Sequence, residues 1–120
     1  MQPQPDVLVV DDEAESREGL SVLLGIRGYR VASAANGMEA LSLLQHGMRP
    51  ALILLDLMMP VMNGWEFMSH QLNDPNIKSI PVVITSGLSL SEMGSIEPAG
   101  VVRKPINPDI LLDLVQKHTS

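Results

Sequence analysis

The sequence predicts an α/β fold, a doubly wound sheet that is mostly or wholly parallel. Three observations carry this. Five short apolar runs alternate with five amphipathic ones from end to end. The strongest runs, VLVV, LILL and VVI, are apolar without interruption, as strands buried on both faces must be. The polar residues that end these runs are acids, a hydroxyl and an amine, and in doubly wound sheets ligands bind beyond the carboxyl ends of the strands.

The elements follow in order. Val7 to Val10 is mainly β-branched and ends at Asp11, Asp12 and Glu13. Leu20, Leu23, Leu24 and Arg27 then repeat at helical spacing, with Gly28 placed to stop the helix. Arg30 to Ala34 is a weak strand. Asn36, with Glu39 three residues later, reads as a capping pair opening a helix through Leu41 and Leu44, closed by Gly47 and Pro50. Leu52 to Leu55 is the second strong strand, and Gly64 to Leu72 is helical. Pro81 opens the strand PVVIT, where a first-position proline loses no needed hydrogen bond. Serines, two glycines and a proline make Gly87 to Pro98 a short or irregular helix. Val101 and Val102 form a brief last strand, and Asn107 with Pro108 caps a helix over Ile110 to Lys117.

With 120 residues, the chain matches one domain, expected over residues 6–120 after a flexible start at 1–5. Only Trp65, Phe67 and Tyr29 are aromatic, so aliphatic side chains and methionines must fill the core. Met58, Met59, Met62 and Met68 are expected to be gap-filling packing beside the site. Trp65 and Phe67 cannot share one helix face, so one of them should be partly exposed.

A net charge of −6 and no basic run argue against direct nucleic-acid contact. The absence of cysteine excludes disulfides and thiol catalysis and fits a cytoplasmic setting. No run approaches the roughly 20 apolar residues of a membrane helix, and the start MQPQPD lacks the form of a secretory signal.

Read only at the strand ends, the sequence offers Asp11 and Asp12, then Asp56, then Thr85 with Ser86, then Lys104 before Pro105. Each alone has a dull explanation: an acid pair after a strand often caps a helix, and Lys-Pro is a common loop dipeptide. Their coincidence at one sheet edge is harder to dismiss. Three neighbouring carboxylates raise one another's pKa values unless a cation sits among them. A hard divalent ion with oxygen ligands suits them, and Mg2+ is the natural choice. His46, His70 and His118 fall in helices or at helix ends, which disfavours zinc. Magnesium, a threonine hydroxyl and a lysine ammonium together suit a phosphoryl group, and an aspartate can carry phosphate as an acyl phosphate.

Four stretches, VLVVDDE (7–13), LLDLMMPVMNG (54–64), VVITSG (82–87) and RKP (103–105), stand in an order and at strand-end positions that resemble the receiver domain of two-component response regulators. The resemblance covers essentially the whole chain. It implies a flavodoxin-like, five-stranded parallel sheet of order 2-1-3-4-5 with five surrounding helices. It makes Asp56 the phosphoacceptor and gives Mg2+ to Asp12, Asp56 and the Met58 carbonyl, with Asp11 acting largely through water. Thr85 would contact the phosphoryl group and Lys104 would pair with it. The implied partners are a sensor histidine kinase or a histidine phosphotransfer protein, and an unknown downstream protein, with the domain a monomer or weak dimer. Such a domain is a phosphorylation switch and not an enzyme.

Val101 departs from the pattern, because an aromatic residue usually stands there. That departure, with the irregular 87–98 segment, motivates an alternative: a constitutive interaction domain with weakened switching. A phosphohydrolase using an aspartate nucleophile is a poorer match, because the acid expected two residues after the nucleophile is Met58.

Overall fold

A computed structural model describes residues 4–119 of the chain. The elements run β1 (Val7–Val10), α1 (Ala14–Ile26), β2 (Val31–Ala34), α2 (Gly37–Gln45), β3 (Leu52–Asp56), α3 (Gly64–Leu72), β4 (Val82–Ser86), α4 (Leu90–Met93), β5 (Gly100–Arg103) and α5 (Pro108–Thr119). All neighbouring strands are parallel, and the sheet order is β2-β1-β3-β4-β5, as the resemblance implies. Of the expected flexible start, residues 1–3 lie outside the described residues. Gln4 accepts a 2.8 Å hydrogen bond from the Arg49 backbone N–H.

Strand alternation divides the core into two layers. Val7, Val9, Leu52, Leu54, Val83 and Val102 pack with α1 and α5 through Leu20, Leu24, Leu111, Leu112 and Val115. Leu8, Val10, Ile53, Leu55 and Ile84 face the opposite layer with Ala40, Leu44, Phe67, Met68 and Met93. Each fully buried leucine or valine contributes roughly 1.5–3 kcal/mol relative to exposure, so these layers dominate the folding energy. A slip of one residue would exchange the two sets and bury the wrong faces.

Local signals set the helix boundaries. Asn36 accepts from the Glu39 backbone N–H at the start of α2, and Asn63 with Glu66 forms a reciprocal capping box at α3. The Asn107 side chain accepts the N–H of Asp109 and of Ile110 at α5. Gly28, just beyond α1, takes a φ of 90°, which a β-carbon would oppose. The irregular segment contains one turn of helix, α4, capped by Ser89 and Glu92. Among the described residues, no helix is long and apolar enough to cross a membrane.

Candidate functional site

The register of the sheet brings the strand-end residues together. Val10 of β1 is level with Leu55 of β3, which places Asp11 beside Asp56. Asp56 is itself paired with Thr85 of β4, and Ser86 with Arg103 of β5, immediately before Lys104. Val9, Leu54, Val83 and Val102 all face the α1/α5 layer. Two residues further on, the alternation assigns Asp11, Asp56, Thr85 and Lys104 to that same side.

The resulting notch is acidic and largely enclosed. Asp11 and Asp56 are 1 % and 6 % exposed and Thr85 is 1 % exposed, whereas Asp12 is exposed. One carboxylate oxygen from each of Asp11, Asp12 and Asp56 lies within 4.8 Å of the others. Lys104 spans the buried pair, its Nζ 3.4 Å from Asp11 Oδ2 and 3.3 Å from Asp56 Oδ2. The Lys104–Pro105 peptide is cis. This set of anionic oxygens, without nitrogen or sulfur donors, fits a hard divalent cation.

Burial pushes the Asp56 carboxyl above its ordinary range. The Met58 N–H and the Lys104 ammonium pull it back without cancelling that rise, and Asp11 adds to it. Burial acts in the opposite sense on Lys104, but Asp56 and then Asp11 outweigh it and hold the ammonium protonated. The notch carries more negative charge than its one lysine offsets.

The loop after Asp56 is built by close approach. The Met58 N–H donates to Asp56 Oδ1 at 3.1 Å, and the Gly64 N–H to the Leu57 carbonyl at 2.9 Å. A β-carbon on Gly64 would lie 2.8 Å from the Asp56 carbonyl oxygen. Val61 has a φ of 69° and is bracketed by a 2.7 Å bond from the Met62 N–H to the Pro60 carbonyl, a strained γ-turn for a β-branched residue.

One sequence expectation needs revision. Met59, Met62 and Met68 are buried packing, but Met58 is 59 % exposed beside the notch, because its backbone turns to meet the Asp56 carboxylate. Glu13, which ends the first apolar run, occupies the N-cap position of α1. The expectation for the aromatic pair holds: Phe67 is buried, and Trp65 is half-buried with its Nε1–H donated to the Met93 carbonyl at 2.8 Å. Sequence reasoning passed over Arg17, whose Nη1 donates to the Asp11 carbonyl at 2.7 Å. A contact to a backbone atom leaves no residue-type signal.

A family model described as the response regulator receiver domain matches residues 7–116. Response regulator Rre1 of Synechocystis is 34 % identical over 115 residues, covering 92 % of this chain and 49 % of the relative. Protein Rrf1 of Nitratidesulfovibrio vulgaris is 31 % identical over 111 residues, covering 92 % of this chain and 80 % of that one. This chain thus spans about half of the cyanobacterial regulator and most of Rrf1. Among solved structures, chemotaxis protein CheY4 of Vibrio cholerae superposes with a TM-score of 0.86 at 32 % identity, covering 97 % of this chain and 99 % of that one. The Francisella response regulator 1452 receiver domain gives a TM-score of 0.84 at 27 % identity, with 97 % of each chain covered. Family model, relatives and fold agree: the chain belongs to the response regulator receiver domains of two-component signalling systems.

Proposed function

We propose that Asp56 accepts a phosphoryl group from a phosphohistidine and that the modification switches the binding of a protein partner. The observation that carries this reading is the convergence of three carboxylates and Lys104, drawn from three strand ends, on one notch. An Asp56 oxygen attacks phosphorus, the P–N bond to the donor imidazole breaks, and that nitrogen leaves with the bonding pair. Lys104 offsets negative charge on the transferring oxygens, and the hydroxyl of Thr85, register-paired with Asp56, would hold one of them. Asp12, Asp56 and the Met58 carbonyl would hold Mg2+, with Asp11 acting through water; the ion, when bound, supplies charge neutralisation for the phosphoryl oxygens.

The phosphodonor is a sensor histidine kinase or a histidine phosphotransfer protein, and the setting is cytoplasmic. Reaction is confined to the domain's own aspartate, so the protein acts as a switch. The test is intact-protein mass spectrometry after incubation with acetyl phosphate and Mg2+. One added phosphoryl group is expected, absent in Asp56→Asn and in wild type treated with a chelator. Labelling that survives in Asp56→Asn overturns the assignment.

A further inference from the structure

Arg17 is a cation beside an anionic notch, yet it pairs with none of its carboxylates. Among the described residues both ion pairs belong to Lys104. The half-buried Arg17 side chain instead reaches back six residues and donates to the Asp11 carbonyl at 2.7 Å. Its own backbone N–H is fixed on the Glu13 carbonyl at 3.0 Å, so the first turn of α1 anchors it.

That bond completes the immobilisation of Asp11. Its N–H donates to the Ala34 carbonyl at 3.2 Å, its Oδ1 accepts the Glu13 N–H at 2.9 Å, and its Oδ2 faces Lys104. Asp12 is held differently: it is exposed, and none of the side-chain hydrogen bonds of the described residues reaches its carboxylate. The Asp11 carbonyl and the Asp12 N–H belong to one planar peptide unit. A hydrogen bond that fixes this carbonyl therefore fixes the plane from which the Asp12 side chain departs.

We infer that Arg17 is a positioning residue for Asp12, acting through the peptide between Asp11 and Asp12 to hold that carboxylate ready for a divalent cation. This rests on the proposed function, in which Asp12 is a direct ligand. Loss of such an outer partner commonly weakens metal binding 10- to 100-fold. The bond here is to a backbone atom beside the ligand, so the expected loss is about tenfold, the low end of that range.

The experiment measures Mg2+ affinity by calorimetry and Mn2+ affinity by electron paramagnetic resonance. Wild type, Arg17→Met, Arg17→Lys, Asp12→Asn and the double variant Arg17→Met/Asp12→Asn are compared. Arg17→Met should bind each ion about tenfold more weakly, and Arg17→Lys, which keeps one donor group, should recover part of the loss. In the Asp12→Asn background, Arg17→Met should cost almost nothing further, because a residue acting through Asp12 has nothing left to position. Wild-type affinity in both Arg17 variants overturns the inference, as does a full tenfold loss added to that of Asp12→Asn. If wild type itself binds neither ion, the proposed function fails before this inference is reached.

Discussion

Lys104 lies 3.3 Å from Asp56, yet the contact does not make Asp56 a comfortable anion. Burial costs this carboxylate more than the Met58 N–H and one ammonium return, and its pKa rises. In the same contact Lys104 becomes a firmer cation. The imbalance leaves the notch ready to take up additional positive charge.

One consequence is a pH-dependent stability. Between the ordinary 3.8 and its raised native value, Asp56 binds more protons in the folded than in the unfolded chain. Stability contributed by its neutral form is therefore lost as pH rises through that window. Without divalent cations, Asp56→Asn should melt a few degrees above wild type at pH 7. The gap should close as pH falls toward 3.8, and added Mg2+ should raise the melting temperature of wild type alone. Equal melting curves at pH 7 would contradict the electrostatic account.

Lys104 lies against Asp11 and Asp56, two of the three carboxylates that could hold a divalent ion. Removing its charge with Lys104→Met should tighten Mg2+ binding at least tenfold, because a unit charge about 4 Å away at an effective dielectric near 20 is worth about 4 kcal/mol, above the roughly 1.4 kcal/mol of a tenfold change. The same change should slow labelling by acetyl phosphate, since nothing then offsets the phosphoryl charge. Calorimetry and labelling rates read the two effects separately, and weaker Mg2+ binding would count against the reading.

Gly64 is required by space. Its added β-carbon would meet the Asp56 carbonyl oxygen and Leu57 Cα at 2.8 Å, both backbone atoms that cannot step aside. Gly64→Ala should lose roughly 2–3 kcal/mol in urea unfolding. Gly37→Ala, whose nearest neighbours are the Met62 side chain at 2.9 Å and the Met62 carbonyl at 3.0 Å, should lose less, because a methionine side chain can rotate away.

Trp65 ties the start of α3 to α4 through the Met93 carbonyl. Trp65→Phe keeps an aromatic ring and removes the donor, at a cost of about 1 kcal/mol. The effect should fall on α4, a single turn with few bonds of its own. Hydrogen exchange should speed up roughly fivefold over residues 89–97 while β1 and β3 stay unchanged. Uniform acceleration would mean that the bond supports the whole fold and not this turn.

The sequence alone determined the alternation of elements, the two-sided burial of the sheet and the residues at the strand ends. Those features are local: apolar runs of strand length, capping asparagines and stop glycines act within a few residues. The candidate acids, Thr85 and Lys104 were legible for the same reason, since each ends an apolar run. Only the tertiary structure decided that parallel register sets Asp11, Asp56, Thr85 and Lys104 on one side of the sheet, because register is fixed by pairing between distant segments. It also decided the exposure of Met58, the strained turn at Val61, the single turn of α4 and the grip of Arg17 on the Asp11 carbonyl. These depend on backbone atoms and close approach, which residue identity does not encode.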